Sequence, residues 1–241
     1  MSYFILDDGG TVTGQELESY RRARKWTQAR AAEALGVSQT YLSLLENGRR
    51  QVSKNLQNRM VRVFGLSPTE VPTAISLSDA RRVSDDQLAS ELAALGYGGF
   101  SHLKRSQRKN PVDVLLAALN SDRRDRRLVE ALPWVVLEYP ELDWGKLIPA
   151  ARAMNLQNRL GFVTNVARRI AEHRHDLKTA SQLKKCEAEL ERSLLVREDT
   201  LCNETMTNAE RKWLKAQRPR AAKDWRLLTD LSPANVNYYV G

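Results

Sequence analysis

The segment from Thr27 to Arg50 constrains this chain more than any other, because it must fold two helices back on each other across a turn with no slack. Thr27-Gln-Ala-Arg-Ala-Ala-Glu-Ala-Leu-Gly36 reads as a short helix that stops at a glycine. Ser38 is placed to cap the helix that follows, its hydroxyl accepting from a backbone N–H that has no partner within the helix. So tight a connection needs a small residue where the two backbones approach, and Ala32 stands there. Gly36 supplies a left-handed turn conformation that a Cβ would penalise. Val37, Leu42 and Leu45 form the apolar side of the second helix, so Gln39, Thr40, Ser43 and Leu44 point outward. This is the pattern of a helix-turn-helix.

Residues 14 to about 65 resemble the XRE/Cro family of helix-turn-helix domains, shared by lambdoid phage repressors and many bacterial antitoxins. The likeness rests on Thr27-Gln28, Ala32, Gly36, Val37, Leu42, Leu45 and Glu46-Asn47-Gly48, which fall on the family's motif without gaps. It implies that the second helix lies in the major groove of duplex DNA. The DNA-contacting residues it implies are Gln28, Ser38, Gln39, Thr40, Tyr41, Ser43, Leu44, Asn47, Arg49 and Arg50. Gln39 and Thr40 occupy the exposed first turn. Glutamine can pair bidentately with adenine, and threonine offers a hydroxyl and a methyl that suits thymine. Leu44 stands where family members carry a polar residue, and either meets a thymine methyl or packs. Gln28 is implied as a phosphate contact at a helix start. Asn47, Arg49 and Arg50 follow the reading helix and are implied as backbone contacts, which set affinity and register rather than sequence choice.

The flanking residues complete a domain of four or five short helices. Thr13-Gly-Gln-Glu16 has capping-box spacing and opens a first helix with Leu17 and Tyr20 inward. Arg21, Arg22, Arg24 and Lys25 suit its C-terminal end, where the helix dipole favours cations. Ser53 caps a fourth helix carrying Leu56, Met60, Val63 and Phe64, which Gly65 and Pro68 end. Ahead of these, Phe4-Ile-Leu6 and Thr11-Val-Thr13 flank Asp7-Asp-Gly-Gly10 and predict a short β-hairpin. It lacks the arginines of a minor-groove arm and reads as structural.

The composition changes after Gly65. Residues 69–84 mix turn formers with few apolar repeats and read as a linker between a DNA-binding domain, 1–68, and a larger helical domain, 85–241. The fold class expected is therefore all-α. In the second domain Ser84 caps a helix with Leu88, Leu92 and Leu95, and Gly96-Tyr-Gly-Gly-Phe100 breaks it. Pro111 follows Asn110 at a first helical position and leads the stripe Val112, Leu115, Leu116 and Leu119. Pro133 predicts two short helices or one kinked helix across Leu128 to Tyr139. Asp143 caps a helix with Leu147 and Ile148. Leu156, Leu160, Val163, Ala167 and Ile170 mark a long helix, and Leu183, Cys186, Leu190 and Leu194 another. Pro219, Trp225 and Tyr238-Tyr239 read as a less regular basic tail. Short capped helices of this kind predict stacked hairpins, with no fixed repeat period.

Charge narrows the partners. The formal net charge is +9, which favours a polyanion. Residues 81–241 hold 28 Lys and Arg against 21 Asp and Glu, so the surplus lies mostly outside the reader. That surplus fits either an extended DNA footprint or an acidic protein. No apolar run reaches the length of a bilayer span, and the start lacks the pattern of a secretory signal, which predicts a cytoplasmic protein without membrane contact. The XRE/Cro resemblance implies a bacterial or phage protein associated with the nucleoid. Cys186 and Cys202 lack the close pairing of a zinc or redox motif and read as reduced thiols. His173 and His175 point in different directions on a helix, and His102 is remote, so no metal is expected. Ala171-Glu-His-Arg-His175 is not the zinc motif it resembles, and Gly96-Tyr-Gly-Gly99 does not continue as a phosphate loop. No catalytic site and no cofactor is expected.

A second resemblance covers roughly residues 86 to 175. Ala131-Leu-Pro-Trp134, Leu142-Asp-Trp144 and Asn158-Arg-Leu-Gly-Phe162 are similar to segments of bacterial regulators paired with nucleotidyltransferase-type toxins. Asn158 to Phe162 resembles the Arg-Leu-Gly helix of AbiE-type antitoxins, although those usually begin with a winged helix. Gly161 serves equally well as a packing feature that permits close approach. The expectation is a transcriptional regulator that binds an inverted-repeat operator in double-stranded DNA as a homodimer. Its helical half holds a cognate toxin, as in an autorepressing antitoxin, or only dimerises or senses a ligand, as in a stand-alone phage-type repressor.

Overall fold

The computed structural model describes residues 12–71, 73, 83–104, 106 and 108–236. The expected N-terminal hairpin falls outside them except for Val12 and Thr13, as do Tyr238 and Tyr239. The chain divides into two compact units, Met1–Ile75 and Ser76–Gly241.

The first unit holds α1 (Gly14–Ala23), α2 (Gln28–Ala34), α3 (Gln39–Glu46) and α4 (Lys54–Val63), then a short 3₁₀ turn, Pro68–Glu70. Each helix starts where its cap predicts. Thr13 and Glu16 close a full capping box, and the hydroxyls of Thr27, Ser38 and Ser53 accept from Arg30, Tyr41 and Leu56 backbone N–H groups. Gly36 sits at φ 62° between α2 and α3, the conformation a tight turn requires. One apolar centre joins all four helices, with Leu17, Ala31, Leu42, Leu45, Met60 and Phe64 buried. Trp26 packs at its edge, tilted against the Phe64 ring at 5.6 Å, with the Arg30 guanidinium 5.0 Å from the indole centre. The Tyr20 hydroxyl donates to the Glu70 carbonyl at 3.0 Å, tying the 3₁₀ turn to α1.

The second unit runs α5 (Asp85–Leu95), α6 (Pro111–Leu119), α7 (Arg126–Glu138), α8 (Trp144–Ala153), α9 (Gln157–His173) and α10 (Leu177–Glu191). Then come β1 (Asp199–Thr200), α11 (Asn208–Gln217), α12 (Arg220–Asp224), β2 (Leu227–Leu228) and α13 (Pro233–Val236). α9 is the central element, packed along α10 as a helical hairpin and against α7 on another side. Its residues from Gln157 to Ala167 are buried without interruption, polar ones included, because neighbours cover it all round. Pro133 lies inside the single helix α7, whose eight buried residues hold it together despite the lost backbone hydrogen bond. Leu194 falls beyond the end of α10.

The C-terminal stretch is more ordered than its sequence predicts. β1 and β2 pair in parallel, Asp199 opposite Leu227 and Thr200 opposite Leu228, and bring α12 back to α9. Trp225 is buried there, and Gly161 of α9 makes room for it: a Cβ at that position would overlap the indole ring. Gly161→Ala is therefore expected to cost about 1–3 kcal/mol through overpacking. In a Trp225→Leu background the same change should cost clearly less. Urea unfolding of the four variants tests this, and equal costs in both backgrounds would disprove the contact.

Candidate nucleic-acid interface

α3 is held by its buried side and shows the other. At 3.6 residues per turn, Gln39, Thr40, Ser43, Leu44 and Asn47 share one arc of about 140°. Gln39, Thr40 and Asn47 on that arc are exposed, and Ser43 and Leu44 are half-buried. Leu42 and Leu45 lie on the opposite side and are buried, and Glu46, at the edge of the exposed arc next to Gln39, is buried too. Tyr41 lies at the border, half-buried against the core.

The partners of this buried carboxylate fix the reading helix. Arg21 of α1 grips Glu46 with two nitrogens, Nε to Oε1 at 2.6 Å and Nη2 to Oε2 at 3.0 Å. The Gln28 amide nitrogen donates to Glu46 Oε2 at 2.8 Å, and Arg21 Nη1 donates to the Trp26 carbonyl at 3.0 Å. One carboxylate thus joins α1, the start of α2 and the end of α3. Burial pushes the Glu46 carboxyl up, but the hydrogen bonds from Arg21 and Gln28 outweigh it and hold the group below the ordinary carboxylate range. Sequence reasoning gave Arg21 to the helix dipole and did not find this cluster. The available signal was Glu46 itself, four residues after Leu42 and next to Leu45, an acid on an apolar face that needs a cation.

The remaining implied residues lie at the two ends of α3 and at the start of α2. The Ser38 hydroxyl caps α3, accepting from Tyr41 N–H at 3.1 Å. Asn47 turns its amide nitrogen back to the Ser43 carbonyl at 2.8 Å, closing the end of α3. Arg49 and Arg50 are exposed on the following turn, and both backbone N–H groups donate to the Leu44 carbonyl, at 2.9 and 3.2 Å. Gln28 is half-buried and serves Glu46 with one of its two amide hydrogens.

In the second unit the Arg-Leu-Gly segment faces inward. Arg159 is buried and binds Asp199 through two nitrogens at 2.8 and 3.0 Å, and it donates to the Leu119 and Ser121 carbonyls at 2.8 and 2.9 Å. The Asn158 amide pairs with the backbone of Leu195 in both directions, at 3.0 and 2.8 Å. Leu160 and Phe162 are fully buried, as are Ala131 and Leu132. Cys202 is buried against α6 carbonyls and its thiol is pushed up to about 11, chiefly by that burial. Cys186 is half-buried, and burial likewise raises its thiol to about 11. Among the described residues no helix is long and apolar enough to cross a membrane.

Residues 13–74 match a family model described as a helix-turn-helix domain. No curated protein and no solved structure matches the chain. The matched span contains α1 to α4, the glycine turn at Gly36 and the exposed arc of α3. Residues 13–74 are a helix-turn-helix domain of the XRE type, and they mark the chain as a DNA-binding regulator.

Proposed function

We propose that this protein reads a specific DNA sequence by laying the exposed arc of α3 in the major groove, and so regulates transcription. The observation that carries the reading is the arc itself, with Gln39, Thr40, Ser43 and Asn47 displayed on a helix whose other side is locked into the core. Gln39 and Thr40 in the first turn read base edges, while Leu44, half-buried, supplies apolar contact at the rim. Arg49, Arg50 and Asn47 meet phosphates beside them, with Ser38 and Tyr41 at the margin of the contact. Glu46 holds one amide hydrogen of Gln28, which leaves the second to reach a phosphate. A reader this small touches few base pairs, so two copies bind an inverted repeat with half-sites about 34–36 Å apart.

Selection of bound sites from random duplexes, followed by footprinting, tests the proposal. The expected site is a two-fold symmetric repeat. Gln39→Ala should relax choice at one or two base pairs and cost roughly 1–3 kcal/mol on the selected site. Arg49→Ala should weaken selected and random duplexes alike and make the salt slope shallower by about one unit. Equal effects of both substitutions on both duplexes would refute the assignment of roles. Of the segments that resemble antitoxins, Asn158 to Phe162 is engaged in internal packing through Arg159 and Gly161, so a toxin partner would bind elsewhere on the second unit.

A further inference from the structure

The second unit carries a charged surface that the reading helix does not use. Residues 211–226 contain seven Lys and Arg and one acidic residue, so they hold six of the chain's net nine positive charges. Residues 1–80, which include the whole reader, contribute only two. A duplex reader gains much of its affinity by neutralising phosphates, and a further run of exposed cations on the same chain would add to it.

The patch is displayed rather than folded away. α11 has a single buried residue, Leu214, so this helix shows nearly its whole circumference. Arg211, Lys212 and Lys215 share one face at positions i, i+1 and i+4. Trp213 stands beside them, 58 % exposed. α12 continues the surface with Arg220, whose side chain is 93 % exposed, and with Lys223. Some of these cations are tied down: Arg218 pairs with Glu198 at 2.9 Å, and Lys215 reaches the same carboxylate at 3.6 Å. Arg220 touches Asp224 only at 4.0 Å. Among the described residues, Lys212, Lys223 and Arg226 have no carboxylate oxygen within 4.0 Å, although Lys223 and Arg226 share a cleft with Glu198 and Asp224.

We propose that α11 and α12 form a second duplex-binding surface, which holds DNA through its phosphate backbone without reading sequence. This rests on the reading of α3 as a DNA reader, since that reading brings a duplex to the same chain. An acidic protein is the weaker occupant. Protein interfaces centre on desolvated apolar side chains, and this surface offers one exposed indole among long, hydrated cations. Those cations suit a phosphate backbone, whose charge is repeated and always solvent-facing. The neighbouring cleft of about 460 Å³ does not compete for an anion, because Asp85, Asp125 and Glu210 line it together with Arg123, Arg124 and Arg126.

The test uses the full chain with Lys212→Gln, Arg220→Gln and Lys223→Gln combined, all at exposed positions. Affinity for the selected site and for a random duplex is measured between about 50 and 200 mM salt. The triple variant should bind both duplexes at least about tenfold more weakly at the low-salt end, with a slope shallower by roughly two to three units and its sequence preference unchanged. The charge-preserving set Lys212→Arg, Arg220→Lys and Lys223→Arg should keep the original slope, which separates lost charge from lost folding. A triple variant with the original slope overturns the proposal, while leaving α3 as the reader. An unsubstituted chain that binds no duplex at any salt overturns both.

Discussion

Glu46→Ala should destabilise the first unit by about 3–5 kcal/mol, because it strands the Arg21 guanidinium in a nearly closed site. The loss should reach DNA binding as well, since the same carboxylate sets the angle of α3 and the pose of Gln28. Glu46→Gln keeps an acceptor and a similar volume, so its cost should be smaller but still measurable. Thermal unfolding of the three proteins, read beside affinity for the selected site, checks both parts. A change below about 1 kcal/mol for Glu46→Ala would mean that the ion pair adds nothing to the core. The pH dependence has a definite sign. The folded unit holds Glu46 below the ordinary carboxylate range, so the unfolded chain takes up the proton first as acid is added. The stabilisation is complete above about pH 4.3, the usual glutamate value, and fades as pH falls through the depressed folded value. Glu46→Gln should lack this component of the acid transition.

Arg159→Met is the second substitution with a large expected effect. It removes a buried cation and leaves Asp199 with the Leu119 and Ser121 carbonyls short of a donor. Breaking a buried pair from one side costs about 3–5 kcal/mol, even though methionine fills a similar volume. Adding Asp199→Asn should recover part of it, because the stranded negative charge is then gone. Urea unfolding of the single and double variants gives the coupling energy directly. Strict additivity of the two substitutions would exclude the ion pair as a stabilising contact.

The parts of this fold that could be read in the sequence are the ones decided locally. Thr13, Thr27, Ser38 and Ser53 announce helix starts because each satisfies a backbone N–H two or three residues away. Gly36 announces its turn by a left-handed conformation that glycine adopts at no steric cost. The outward set on α3 follows from helical period alone. What stayed hidden was decided by distant partners. Arg21 looks like an ordinary C-terminal cation until Glu46, 25 positions on, is brought beside it. The elements that return the chain to α9 show no long period, since the two-residue strands are too short to print one and α12 is five residues long. Trp225 and Gly161 explain each other only when 64 positions of chain have folded between them. Pro133 left two short helices or one kinked helix open, and a single helix, α7, runs through it.

The return of β2 and Trp225 to the middle of the second unit also sets an order of events during synthesis. The slot at Gly161 and the pairing position at Asp199 stay empty until residue 228 has left the ribosome. The reader's core, in contrast, is complete by Leu66. At translation rates of about 5–20 residues per second, the interval is on the order of ten seconds. The reading helix is thus finished and displayed while the second unit still has an open centre.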